Sequence, residues 1–122
     1  MRTVIKDYFS GFEGEAEITF VRKDAQGDEL AFTLWYGYFY EIMESIEPGP
    51  TGWTGLALPY HTVTGWYEDN DWLVPNPAEV AQQLDALERG VLKAPASQIL
   101  DELVVFIREG IEAGDALHIQ YF

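Results

Sequence analysis

From Glu15 to Lys23, Ala16, Ile18 and Phe20 alternate with Glu17, Thr19 and Val21, and from Glu29 to Gly37, Leu30, Phe32, Leu34 and Tyr36 alternate with Ala31, Thr33 and Trp35. A period of two is that of a strand with one face toward a core, so the two runs and the DAQGD turn between them predict a hairpin. Residues 2 to 9 read as a strand before it, and the order suggests an antiparallel meander. At Tyr38 the period changes. Phe39, Ile42, Met43 and Ile46 stand at i, i+3, i+4 and i+7, the stripe of a short helix that Pro48 ends. The opposite face carries Glu41 and Glu44. Glu44 and Glu47 are expected in the last turn, where the helix dipole is already negative and an exposed carboxylate costs roughly 0.3–1 kcal/mol.

Residues 48 to 76 are punctuated by Pro48, Pro50, Pro59 and Pro75 and by Gly49, Gly52, Gly55 and Gly65. This density predicts a long structured loop with only a short strand near Tyr60 to Thr64. Asn76, Pro77 and Glu79 then supply an N-cap, an N1 proline and an N3 acid, and Val80, Leu84 and Leu87 form the buried stripe of a helix that Gly90 stops. A longer helix runs from Pro95 to Ala113, with Ile99, Leu103, Ile107 and Ile111 at steps of four and Gly114 as its C′ residue. Asp115 to Phe122 alternates Leu117, Ile119 and Tyr121 against Ala116, His118 and Gln120, a closing strand placed most simply beside the first. The 122 residues therefore predict one α+β domain, a mainly antiparallel sheet with two to three helices packed on one face.

Charge changes what such a domain would do. The formal net charge is −14, and between Lys23 and Arg89 there is no Lys or Arg at all. Such a field repels nucleic acid and anionic membrane and attracts basic proteins, so neither of the first two is expected as a partner. The stretch GWYEDNDWLVPNP concentrates the pattern. It sets Trp66, Tyr67 and Trp72 around Glu68, Asp69 and Asp71 without a basic residue. Trp35 and Phe106 are expected in the core, and Trp53, Trp66 and Trp72 either fill the core too, as a large buried Trp commonly does, or anchor an interface, where Trp and Tyr are enriched.

Catalytic and cofactor chemistry finds little footing. There is no Cys, only His61 and His118 as histidines, and Leu73 and Pro75 stand where a calcium loop beginning at Asp69 would need ligands, so neither metal nor cofactor is expected. GPTGWTG lacks the Lys of a phosphate loop, and neither histidine has a serine in a nucleophile motif nearby. Without a signal peptide or an apolar membrane run, the expected location is the cytoplasm.

Small size, strong acidity, the α+β pattern and the lack of cysteine, with GWYEDNDWLVPNP and LVVFIREGIEAGDALHIQYF as characteristic stretches, resemble the immunity proteins of bacterial polymorphic toxin and contact-dependent inhibition systems. The resemblance spans the chain through its overall character. It implies a stoichiometric inhibitor, not an enzyme, that binds a cognate basic toxin domain of nuclease or deaminase type. Trp53, Trp66, Tyr67, Glu68, Asp69, Asp71 and Trp72, with Glu41, Glu44 and Glu47, are the partner-binding residues expected on this reading. A small-molecule binding or regulatory domain, with the aromatics lining a pocket, is the alternative.

Overall fold

The computed structural model describes residues 1–48, 50, 52, 55–62 and 71–121. Five strands, β1 (Arg2–Tyr8), β2 (Glu17–Lys23), β3 (Glu29–Trp35), β4 (Trp72–Leu73) and β5 (Ala116–Tyr121), form one sheet in the order β1-β3-β2-β5-β4. The helices are α1 (Tyr36–Glu44), α2 (Ala57–Thr62), α3 (Pro77–Asp85) and α4 (Ala96–Ala113), which makes the fold α+β. No helix among the described residues is long and apolar enough to cross a membrane.

The hairpin forms with Glu17 opposite Trp35 and Lys23 opposite Glu29. That register puts Ile18, Phe20, Phe32 and Leu34 on one face, joined there by Leu117 and Ile119 of β5. Phe39, Ile42 and Met43 of α1, Val80 and Leu84 of α3, and Ile99, Leu103, Phe106 and Ile107 of α4 complete the same buried cluster. Arg22 is also buried on this side. Its Nε donates to Asp115 at 3.0 Å and its guanidinium lies 5.3 Å from the centre of the Phe106 ring. Gly110 makes room for it, since a Cβ there would come within 3.0 Å of the Arg22 side chain.

Two connections differ from the sequence reading. β1 pairs with β3 and runs parallel to it, so the first three strands are not a meander and the sheet is mixed, with three of its four pairings antiparallel. β5 joins β2 and not β1. The strand order reflects a preference that alternation cannot express: β2 and β3, buried over most of their length, take the sheet's interior, whereas β1, exposed over nearly all its length, takes an edge.

Helix ends show where local chemistry prevails. Asn76 Oδ1 accepts from the Glu79 N–H at 3.3 Å with Pro77 at N1, and Gly114 closes α4 in the left-handed region at φ 78°, as the sequence predicts. Ile111, expected in the buried stripe of α4, is 40% exposed at its edge. α3 ends at Asp85, five residues before Gly90. Arg89 explains the early stop, because its Nη1 donates to the carbonyls of Leu84, Asp85 and Leu87 and so caps the helix from outside. A 3-10 turn, Arg89–Val91, follows. α1 begins two residues before Tyr38 and ends at Glu44, which leaves Glu47 beyond the helix. Ala57–Thr62 is helical where a strand near Tyr60 to Thr64 was expected. Pro59 falls in its first turn, where the missing N–H has no helical partner to lose.

Candidate functional site

Two polar regions stand apart from the core, and they handle charge in opposite ways. The first is the sheet face away from the buried cluster. Arg2 on β1 and Gln120 on β5 hydrogen-bond at 2.8 Å although β3 and β2 lie between their strands, so both side chains are drawn across the sheet. The small residues Ala31 and Val21, in those two strands, are 0% exposed. Arg2 Nε also donates to Glu29 at 2.8 Å, and Gln120 Nε2 donates to Asp71 Oδ1 at 3.1 Å.

Asp71 closes this layer. Lys23 Nζ lies 3.1 Å from its Oδ2, and His118 Nδ1 lies 3.1 Å from its Oδ1. Partial burial pushes the Asp71 carboxyl up, but the Gln120 and Lys23 hydrogen bonds and the charges of His118 and Lys23 outweigh that and hold it below the ordinary value of 3.8. An acid with no basic neighbour in sequence is thus neutralised by the fold: Lys23, 48 residues away, ends the strand beside β5. Trp72 next to it faces the other way, opposite Ile119, and packs half-buried against the core. Trp53, Trp66, Tyr67, Glu68 and Asp69 lie outside the described residues.

Trp35, expected in the core, is half-buried at the end of β3. Its ring stacks on Phe12 at 4.3 Å between centroids, Tyr38 meets both rings edge-on, and its Nε1 donates to Glu15 at 3.2 Å. Register decides this: Trp35 pairs with Glu17 on the face away from the helices. Phe106 is buried in the core as expected.

The second region is a cleft of about 580 Å³ between the C-terminal end of α1 and the outer side of α3. Glu79, Gln82, Gln83 and Ala86, at i, i+3, i+4 and i+7, make one wall about 10 Å long at the helical rise of 1.5 Å per residue. Gln83 is anchored there, its Oε1 accepting the Leu56 N–H at 3.0 Å. Ser45, Ile46 and Glu47 form the facing wall, and Leu87, Glu88 and Val91 the end. Leu87 and Val91 supply apolar surface, Ile46 is nearly all buried in the core, and Glu47, Glu79 and Glu88 are exposed.

Among the described residues none of these three carboxylates makes an ion pair, and no Lys or Arg lines the cleft. Six of the chain's seven Lys and Arg are committed elsewhere, and the seventh, Lys93, does not line the cleft. Arg2, Lys6, Arg22, Lys23, Arg89 and Arg108 each pair with a carboxylate, of Glu29, Glu102, Asp115, Asp71, Asp101 and Asp85 respectively. Arg89, adjacent to Glu88 in sequence, spends its donors on Asp85, Asp101 and three carbonyls. The negative end of the α1 dipole opens on the same space through Ser45. Chemically the cleft joins three unneutralised carboxylates to the uncharged polar groups of Ser45, Gln82 and Gln83 and the apolar surface of Leu87 and Val91.

Of the acids expected on α1, Glu47 belongs to this cleft. Glu44 is exposed in the last turn with His61 Nδ1 at 4.0 Å, and Glu41 accepts the Lys93 backbone N–H at 2.9 Å, which ties α1 to the segment leading into α4. Glu79 and Glu88 were not expected here. Glu79 reads in sequence as a helix-start residue, and nothing around Glu88 shows that Arg89 turns away. The one sequence signal was the interval without Lys or Arg, which contains all three carboxylates.

Comparison of the chain with protein families, with curated proteins and with solved structures found no match.

Proposed function

We propose that this chain is an immunity-type protein that binds and neutralises a basic toxin domain, of nuclease or deaminase class, and acts by occupancy, not catalysis. The observation that carries the reading is the cleft lined by Glu47, Glu79 and Glu88, which among the described residues have no cation, together with the apolar side chains of Leu87 and Val91. A protein with seven basic residues that spends six on its own carboxylates keeps this rim charged at the cost of mutual repulsion. A solubilising surface needs charge alone, whereas an interface with a basic partner uses charge for rate of encounter and apolar area, here that of Leu87 and Val91, for lifetime. Glu41 and Glu44 extend the acidic approach along α1. Trp53, Trp66, Tyr67, Glu68 and Asp69 are proposed as further contacts.

The test has two stages. Capture from native cells at low salt should recover one basic protein at a one-to-one ratio, released as salt rises. That protein, expressed alone, should arrest growth, and co-expression of this chain should restore it, while the Glu47→Lys, Glu79→Lys, Glu88→Lys triple variant should not. Rescue by the triple variant would remove the cleft from the interface. A captured protein without toxicity would refute the immunity reading.

A further inference from the structure

β1 ends the sheet, and among the described residues no strand pairs with its outer side. Such an edge offers a row of main-chain N–H and C=O groups to another chain, and folded proteins commonly guard it with charged side chains, proline or very short length. β1 is seven residues long, has no proline and carries the β-branched run Thr3, Val4 and Ile5. Its charges do not guard the edge, because each is held back by a group of the same molecule. Arg2 donates to Glu29 and reaches over the sheet to Gln120, both at 2.8 Å, and Asp7 accepts the Thr33 hydroxyl at 3.2 Å together with the N–H groups of Phe9 and Ser10. Lys6 pairs with Glu102 on α4, which also accepts the Tyr8 hydroxyl. What stays outside is apolar: Val4 is 52% exposed and Ile5 is 42% exposed.

Beside this edge lies a groove of about 300 Å³, with Ile5 on the strand side and Val105 and Glu109 on the α4 side. It shares no residue with the cleft between α1 and α3. Two observations choose its occupant. The register with β3 slips between Val4 and Lys6, and a bulge of this kind bends and twists its strand. An extended segment follows that twist, whereas a second copy of this chain would bring an equally bent edge fixed in its own sheet. A second copy would also bring another net charge of −14, while lysine or arginine side chains would meet Glu109 and the wider negative field. We infer that the outer edge of β1 takes up an extended segment of a basic partner protein as an added strand, main chain to main chain, with an apolar side chain of that segment seated between Ile5 and Val105. This surface is separate from the cleft and does not depend on it.

The probe is a capped peptide of the same length as β1 that alternates valine with lysine, titrated into the isotope-labelled chain while backbone amides are followed by NMR. The amides of Val4, Ile5 and Lys6 should shift. The same peptide N-methylated at every residue keeps its side chains and charges but has no main-chain donor, and it should bind at least about tenfold more weakly. Ile5→Lys, and Val105→Lys on the opposite wall, should each weaken the lysine peptide about tenfold by placing a like charge at the edge. Val105→Lys decides the matter if Ile5→Lys does not fold. A peptide with glutamate in place of lysine should bind more weakly than the lysine peptide.

Equal affinity for the N-methylated peptide would overturn strand addition, and equal affinity for the glutamate peptide would overturn the basic partner. Shifts confined to the cleft amides of Glu79 and Val91 would overturn the edge site and leave the cleft reading in place. A concentration-dependent dimer of the free chain, lost in Ile5→Lys, would also overturn the proposal, because the occupant would then be a second copy.

Discussion

Asp71 and Glu79 are both acids in an interval without Lys or Arg, and the fold treats them differently. Around Asp71, strands from distant parts of the chain deliver Lys23, Gln120 and His118, so the carboxylate becomes part of a hydrogen-bonded layer across the sheet. Around Glu79, the cleft is lined by Glu47 and Glu88, the uncharged Ser45, Gln82 and Gln83, and apolar side chains. Acidity in sequence is therefore no measure of acidity at the surface. A carboxylate with satisfied partners stabilises the fold; one left without them adds to the repulsion within the free chain and is available to another molecule.

The largest effect expected from this contrast lies in the cleft. Reversing Glu47, Glu79 and Glu88 to Lys should weaken the basic partner's binding by at least about a hundredfold, as like charges then face each other across the interface. The same variant should unfold in urea at about the same midpoint, because lowering the net negative charge offsets the loss of Glu79 from the first turn of α3, where an acid is favourable. A large fall in the midpoint would show these residues to be part of the fold's support and would erase the contrast.

A smaller effect, of opposite kind, is expected on the sheet face. Gln120 is 8% exposed and bonded to both Arg2 and Asp71. Gln120→Leu keeps similar bulk but leaves both partners short of a bond, so unfolding should become easier by about 1–3 kcal/mol. Binding of the basic partner should be unchanged. If urea denaturation shows no loss, the layer across the sheet is decorative.

The smallest effect concerns acid. The Asp71 pKa is lowered in the folded protein, so its contribution is complete above the ordinary value of 3.8 and is lost as pH falls through the folded value beneath it. Asp71 and Lys23 are both partly exposed, which limits the pair to under about 1 kcal/mol. Asp71→Asn should accordingly be slightly less stable than the parent at pH 6 and equal to it near pH 2. A difference that persists at pH 2 would mean that Asn fails for steric reasons and not for lack of charge.

What the sequence determined by itself is local. Alternation places β2, β3 and β5, the four-residue stripe places α4, and the Asn76 cap and Gly114 mark two helix ends where the structure has them, because each depends on residues within one turn or one strand of each other. The missing positive charge between Lys23 and Arg89 was equally legible, and the three carboxylates of the cleft lie within that interval. Tertiary structure alone decided the rest. The parallel pairing of β1 with β3, the place of β5 beside β2, and the half-buried Trp35 depend on which faces compete for the interior. Arg89 ends α3 early by reaching back to its carbonyls, a competition that Gly90 in the sequence does not reveal. The fate of each carboxylate is of the same kind. Coulomb energy depends on distance in space, and Lys23 reaches Asp71 across 48 residues while Arg89, next to Glu88, points its charge elsewhere.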